Sequence, residues 1–289
     1  MGIVDRAQDE PEPPVSADAV PVPDCLRLEA RVAALEAAVA RLEGGAVAGA
    51  PGAPPWGTPP VAPPKPEHPD PERLGRTGIV NYQTRPPSTV AEVTKVCRKV
   101  AATWSAGSRP VRLSGIDWRV LEVVDTHRAL LFADRVIGTG PYHMAQEDVT
   151  WEQCDLRRWL NTEFFWSLGE TLTSRVLPTT VENAPNPVYG TRGCGDTTDG
   201  FFLLSMTEAA VQFTGREPSN WKTYQLSLGK NARAKDEKGE SAWWWLRSPG
   251  GHPGGAASVY GQGDLYEYGR VVSVASGGVR PAFWLNLQS

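Results

Sequence analysis

The sequence predicts an α+β domain with much irregular structure, preceded by a short helix and a proline-rich linker. Short segments with an apolar residue at every second position alternate with segments of helical period, as strands and helices require. Glycine and proline, at 29 and 26 of 289 residues, separate these segments. Such a mixture of a few helices with many short strands is typical of the α+β class.

Residues 1–24 and 44–73 carry too few apolar side chains to build a core. The first segment repeats Pro, Asp and Glu, and the second contains Pro54-Pro55, Pro59-Pro60 and Pro63-Pro64. Proline fixes φ and removes a backbone donor, so we expect a disordered N-terminus at 1–24 and an extended linker at 44–73. Most of the acidic excess lies here, since residues 1–75 hold twelve acidic and six basic residues.

Residues 25–43, between these segments, have the pattern of a coiled-coil helix. Asp24 would provide the N-cap and Gly44 the stop. A helix of this length is unstable alone in water, so we expect self-association through 25–43, as a dimer or a trimer. The alternative is an amphipathic helix that packs on the following domain. The apolar seam follows the four- and three-residue spacing of a heptad and consists of Leu28, Val32, Leu35, Val39 and Leu42.

Residues 74–289 are expected to form one domain. Its periodicities predict a helix within 90–103 and strands at 111–113, 117–124 and 128–133. A helix from an N-cap at Thr150 to Leu160 should follow, then a long loop at 183–200, a helix at 206–213 capped by Ser205, and a polar loop at 214–240. The buried side of the first of these two helices should contain Trp151, Cys154, Leu156, Trp159 and Leu160.

A strict alternation runs from Ser258 to Tyr266. In one extended segment it would turn Val259 and Leu265 to the core and the polar set to water. Tyrosine beside small hydrogen-bonding residues is typical of binding surfaces, because it gives a large contact area at a low cost in entropy. An ordinary half-buried edge strand is the alternative. The predicted ligand-binding residues are His252, Ser258, Tyr260, Gln262, Asp264, Tyr266, Glu267, Tyr268, Arg270 and Ser273.

Two motifs bracket this stretch, WWWLRSPGG at 243–251 and GVRPAFW at 278–284. Further motifs lie upstream, with IDWRVL at 116–121, LRRWLN at 156–161 and FLLS at 202–205. Over roughly residues 110–287, the chain resembles the variable proteins of bacterial and phage diversity-generating retroelements. The resemblance implies a C-type-lectin-like fold, shared with formylglycine-generating enzymes. It also implies a displayed ligand-binding surface at about 252–276, which adenine-directed mutagenesis of a template copy diversifies.

The genetic code offers one check on this resemblance. Randomised adenines in Asn codons cannot yield Lys, Met, Trp, Gln or Glu, and residues 251–277 contain no Lys, Met or Trp. Gln262 and Glu267 do not fit, so they would be fixed or would derive from another codon. Formylglycine-generating enzymes use a cysteine pair near the C-terminus, whereas the last cysteine here is Cys194. We therefore do not expect that activity.

No catalytic or metal-binding motif is present. The histidines, at 68, 127, 143 and 252, are not at metal-ligand spacing, and no nucleophile elbow, P-loop or HExxH occurs. The cysteines, at 25, 97, 154 and 194, are scattered as reduced structural thiols are. We expect no cofactor and no metal, and Asp264 with Glu267 would be too few ligands for a calcium-dependent lectin.

Charge and hydropathy indicate which classes of partner and which locations the sequence favours. The near-neutral domain has no basic run, which argues against nucleic acid, and no run of eighteen apolar residues predicts a membrane span. The N-terminus lacks the basic start and apolar run of a secretory signal, so no signal peptide is predicted and the location stays open between the cytoplasm and, for a phage-encoded chain, the virion. The preferred function is non-enzymatic binding of a protein or glycan ligand. The alternatives are a fixed-specificity carbohydrate-binding lectin or adhesin, a phage tail receptor-binding protein and an enzyme of unknown type.

Overall fold

The computed structural model describes residues 110–124, 127–221 and 226–288, together with Glu92, Val93 and Lys95. Those three residues are helical and lie within the helix expected at 90–103. The predicted N-terminus, coiled-coil helix and linker lie outside the described residues. The described residues all belong to one compact unit, Pro59–Ser289, and their fold is α+β. Within them, no helix is long and apolar enough to cross a membrane.

The larger sheet has five antiparallel strands in the order β1-β2-β3-β12-β4. The strand that is last in sequence lies between β3 and β4, so it joins the end of the domain to its beginning. The strands expected at 111–113, 117–124 and 128–133 are confirmed, with a turn at Ser114-Gly115 between the first two. The bounds are β1 Val111–Leu113, β2 Ile116–Val124, β3 Arg128–Ala133, β4 Val176–Leu177 and β12 Ala282–Asn286.

Three short helices follow one another after β3, namely α1 Asp155–Asn161, α2 Glu163–Ser167 and α3 Glu170–Thr173. The helix expected from Thr150 therefore begins later than predicted, and its N-cap is Cys154. Thr150 instead accepts turn hydrogen bonds from the backbone N–H groups of Gln153 and Cys154, at 3.2 and 3.1 Å. The turn allows the Trp151 indole N–H to reach the Asp199 carboxylate, at 2.8 Å. The predicted buried residues are nevertheless all buried.

The helix expected after Ser205 is confirmed as α4, Met206–Thr214. Ser205 and Glu208 form a reciprocal capping box, in which each side chain accepts from the backbone N–H of the other. Gly215 ends the helix with φ 78°, a conformation that glycine adopts without strain.

The second sheet has three antiparallel strands in the order β11-β10-β9. They are β9 Trp244–Pro249, β10 Gly255–Val259 and β11 Leu265–Val271. The expected loops at 183–200 and 214–240 also contain regular structure, because strands of two or three residues are too short to show a period. The first loop contains β6 Thr197–Asp199, which pairs with β5 Thr179–Val181 just before the loop. The second contains a 3-10 helix at Lys230–Ala232 and β7 Ala234–Lys235, which pairs with β8 Ser241–Ala242 just after the loop.

Aromatic side chains join the two larger sheets through a common core. Phe132 on β3 lies 5.5 Å from Trp244 on β9, measured between ring centroids. On the opposite face of the five-stranded sheet, Trp118 on β2 lies 4.8 Å from Phe283 on β12 and 6.1 Å from Phe201. The contact of Phe132 with Trp244 thus anchors the three-stranded sheet to the five-stranded sheet through buried side chains.

Candidate functional site

The stretch expected to be one extended strand is a hairpin. β10 ends at Val259, and β11 begins at Leu265. In the turn, the Tyr260 N–H donates to the Asp264 carbonyl and the Gly263 N–H donates to the Tyr260 carbonyl, both at 2.8 Å. Val259 and Leu265 pair across the ladder and are fully buried, as predicted. The alternation of inward and outward residues continues across the turn, because Val259 and Leu265, on either side of it, both point to the core.

Ser258 and Glu267 are not on the surface, so the prediction that they are displayed is wrong. Ser258 is 0% exposed because β10 is the central strand, where Trp245 and Tyr266 flank it. Glu267 is 4% exposed on the inward side of β11, and its carboxylate accepts from the Leu226 N–H at 3.4 Å. The two-residue period does not distinguish a central strand from an edge strand.

The other predicted binding residues are exposed or half-buried. On β11 the alternation is regular, with Leu265, Glu267 and Gly269 inward and their neighbours outward. Ser273 lies just beyond β11 and donates to the Gln146 side-chain oxygen at 2.9 Å. We call this set the hairpin surface: His252, Tyr260, Gln262, Asp264, Tyr266, Tyr268, Arg270 and Ser273.

Four residues form an arginine cluster on the outward side of the three-stranded sheet, namely Trp243, Tyr260, Tyr266 and Arg270. The guanidinium carbon of Arg270 lies 4.4 Å from the Trp243 ring centroid and 5.5 and 5.8 Å from those of Tyr260 and Tyr266. The two tyrosine rings are 4.9 Å apart. Contacts of this kind attract a cation to the face of an aromatic ring. The cluster therefore holds one positive charge among three aromatic rings.

The phenol of Tyr260 is held in its neutral form. Burial raises the pKa of Tyr260, and the neighbouring phenol of Tyr266 raises it further, although the charge of Arg270 acts in the opposite direction. A neutral phenol can both donate and accept a hydrogen bond. Tyr260 therefore adds a polar tip to an otherwise aromatic wall.

A second group, the tyrosine patch, consists of Tyr189, His252 and Tyr268. The Tyr268 ring lies 5.5 Å from that of Tyr189 and 5.7 Å from the imidazole of His252. Tyr268 is 46% exposed, one of the most exposed large apolar side chains among the described residues. The patch presents aromatic area to solvent, as protein interfaces do.

The buried side chain of Asn186 positions the loop that carries Tyr189. Its amide donates to the carbonyls of Pro249 and Glu267, at 2.8 and 2.9 Å. Its side-chain oxygen accepts from the N–H groups of Val188 and Tyr189, at 2.9 and 3.1 Å. The Asn186 side chain thus holds the loop against β9 and β11, the two outer strands of the three-stranded sheet.

Sequence reasoning missed Trp243 and Tyr189. The alternation within Trp243-Trp244-Trp245 offered a signal for the first, since it places Trp243 on the face of Trp245, and the two rings lie 4.8 Å apart. Nothing in the sequence pointed to the second, because its loop is brought to β11 only by the contacts of Asn186.

The arginine of the first bracketing motif, Arg247, stabilises the fold and is not part of the hairpin surface. Arg247 is buried and pairs with both carboxylate oxygens of Glu208, one of them at 2.7 Å. It also donates to the carbonyls of Leu203 and Glu182, at 2.8 and 2.9 Å. Because Glu208 also caps α4, this arginine ties the small sheet to that helix.

The arginine of the second motif, Arg280, is fully buried. It donates to the carbonyls of Ala133, Ala232 and Asp134 at 3.0 to 3.1 Å. Its guanidinium also stacks on Phe132, 4.2 Å from the ring centroid. Burial lowers the pKa of Arg280 well below its usual range. The arginines of both bracketing motifs are therefore structural, and the predicted binding residues that reach the surface lie between them or at the edge of the first.

In the described ranges, no group of three or more His, Cys, Asp or Glu side chains could hold a metal ion. Neither Cys154 nor Cys194 forms a disulfide bond. Residues 126–287, more than half of the chain, match a protein family described as a domain of unknown function, DUF6273. No curated protein and no solved structure matches the chain.

Proposed function

The chain belongs to the DUF6273 family, and we propose that it is a non-enzymatic binding protein that presents the hairpin surface to a ligand. The single observation that carries this proposal is that structural residues and surface residues are separated around the hairpin. Arg247 and Arg280, in the bracketing motifs, are buried and bound to the frame, whereas the outward side chains of β11 are aromatic or charged and half-buried or exposed.

The composition of the surface supports binding of a macromolecule. Tyrosine and arginine are enriched at interfaces, where they supply most of the binding energy. The resemblance to the variable proteins supports a finer proposal, in which the fold is of the C-type-lectin type and residues 252–276 are diversified. Self-association through residues 25–43 would then present several copies of the surface and raise avidity.

The binding proposal is tested with peptides selected from a random phage-displayed library against the full chain. We expect Tyr260→Ala or Tyr266→Ala to weaken the selected peptides by about thirtyfold, because a tyrosine anchor is worth about 2 kcal/mol. The melting temperature should fall by less than in a core variant, since Tyr260 and Tyr266 are half-buried rather than part of the core. Val259→Asp is the matched control and should lower the melting temperature first. Peptides that bind equally well to both tyrosine variants would show that the hairpin surface is not the binding site.

Diversification has a separate test in the DNA that flanks the gene. We expect a near-duplicate of codons 245–285 beside a reverse transcriptase gene, differing from the gene only at adenines of the template copy. Flanking DNA without such a copy would favour a fixed-specificity lectin or adhesin on the same surface.

A further inference from the structure

Arg270 is half-buried and, unlike Arg119, Arg157, Arg247 and Arg280, has no anionic or carbonyl partner among the described residues. Arg119 bonds the carboxylate of Asp134 at 2.6 Å, and Arg157 bonds that of Asp199 at 2.7 Å. Arg247 and Arg280 are paired as described above. The guanidinium of Arg270 contacts the rings of Trp243, Tyr260 and Tyr266, and its Nε–H group is buried without a hydrogen-bond partner among the described residues.

A second unpaired polar group lies on the same side of the sheet. Ser258 is fully buried, and its Oγ has no hydrogen-bond partner among the described residues. In the ladder it stands opposite Trp245 on one side and Tyr266 on the other. Directly opposed residues share a face, so Ser258 lies under the arginine cluster. A buried donor without a partner costs free energy until an acceptor is supplied, and these two lie on one face of the sheet.

We propose that the arginine cluster binds a carboxylate side chain, Asp or Glu, of a protein partner. A carboxylate supplies acceptors in the planar geometry that a guanidinium matches. The rings of Trp243, Tyr260 and Tyr266 shield the ion pair from water, which strengthens it. The inference rests on the proposed function, since it assigns a ligand chemistry to the same surface.

The surrounding surface indicates a protein rather than a sugar. The exposed large apolar residues of the described chain lie on β11 or on segments that contact it. The Tyr189 ring packs edge to face against Tyr268, and Met144 follows His143, whose N–H donates to the carbonyl of Val272, just after β11, at 3.0 Å. Tyrosine, methionine and arginine are the residues enriched at protein interfaces. The four exposed residues are Met144, Tyr189, Tyr268 and Val271.

The test uses the phage-displayed random peptides described above, selected against the full chain. We expect enrichment of Asp and Glu in the selected peptides, and Arg270→Gln should weaken them by about tenfold or more. Replacing the acidic residue of the peptide by its amide should give the same loss, and the two changes together should cost little more than either alone.

Arg233→Gln is the matched control. Arg233 is exposed beside the same hairpin, where it donates to the Gln262 carbonyl at 3.0 Å, so its replacement removes an equal charge without touching the cluster. This variant should bind the acidic peptides within about twofold of the original chain. Arg270→Lys keeps the positive charge but loses the planar guanidinium, and it should retain part of the affinity. Partial binding by this variant would show that a loss in Arg270→Gln does not come from misfolding.

The outcomes separate this inference from the proposed function. Peptides that depend on Tyr260 and Tyr266 but show no acidic preference, or ignore Arg270, overturn the carboxylate site and leave the binding surface intact. Peptides that ignore every hairpin substitution overturn both. Binding of sialyllactose that Arg270→Gln abolishes, with no acidic peptide selected, shows a carboxylate site for a glycan and overturns the protein partner.

Discussion

Tyr142 shows how single buried side chains hold the small sheet in place. Its hydroxyl donates to the Arg247 carbonyl at 2.9 Å, and its N–H donates to the Val272 carbonyl at 2.8 Å. Its own carbonyl accepts from the Leu156 N–H in α1 at 3.1 Å. One residue thus connects α1, β9 and the end of the hairpin. Burial, with a smaller contribution from the neighbouring thiols, raises the pKa of Tyr142 well above its ordinary value.

This raised pKa predicts a loss of stability in alkali. Below pH about 10 the phenol is neutral in both states, whereas above it the unfolded chain ionises and the folded chain does not, so unfolding becomes easier as pH rises. Tyr142→Phe cannot ionise. It should be less stable by about 1 kcal/mol at pH 8, through the lost hydrogen bond, and the difference should shrink toward pH 11. Urea unfolding across this range measures it, and a constant or widening difference would argue against the raised pKa.

Among the elements, the hairpin turn needs glycine at one position. Gly263 has φ 96°, and a Cβ there would lie 2.5 Å from the Gly229 carbonyl oxygen. The Gly263 carbonyl also accepts from the Leu228 N–H at 2.9 Å. The turn is therefore fixed against the segment that precedes the 3-10 helix.

Gly263→Ala should destabilise the domain by about 1–3 kcal/mol, through backbone strain and the clash with Gly229. Its neighbour Gln262 is exposed, and its backbone carbonyl, which Arg233 contacts, survives substitution. Gln262→Ala is therefore the control and should change stability by no more than about 0.5 kcal/mol. The free energies of unfolding of the two variants decide the matter, and equal stability would mean that the turn rearranges freely.

Elements with local signals were predictable, and those set by distant contacts were not. Both ends of α4 were predictable because capping is a local interaction: Ser205 with Glu208 marks the start and Gly215 the end. The start of α1 was misplaced because Trp151 turns inward to Asp199, a partner far along the chain. The hairpin was read as one strand although Gly261 and Gly263 mark a turn, since the period of two continues across it.

The same reasoning holds for the candidate site. Outward positions of an edge strand follow from alternation, so Tyr266, Tyr268 and Arg270 were placed correctly. Ser258 was misplaced because only the pairing of β10 on both sides buries it.

For the whole molecule, we propose that a constant domain carries the hairpin surface as its variable part. Self-association would then bring several copies of that surface together. The seam Leu28, Val32, Leu35, Val39 and Leu42 lies outside the described residues, so self-association through residues 25–43 stays a prediction. A polyproline-like linker at 44–73 would separate the heads from the helix and let several of them reach one target.

Light scattering tests this arrangement. The full chain should have the mass of a dimer or a trimer at micromolar concentration, and a truncated chain that starts at Leu74 should have a lower mass, because it lacks the seam. A monomeric full chain contradicts the prediction. An oligomer that persists after truncation would place the contact in the heads instead.

The central claim, that the hairpin surface varies freely on a fixed frame, is tested most directly by comparing two libraries of the full chain. One randomises the hairpin surface, and the other randomises buried neighbours, Val259, Leu265 and Val272. The measurement is the free energy of unfolding in urea of members drawn at random from each. We predict that most surface variants keep the cooperative transition of the original chain, since every randomised surface site is exposed or half-buried, while most buried variants lose it because they open cavities in the core. Equal losses of stability in the two libraries would contradict the claim.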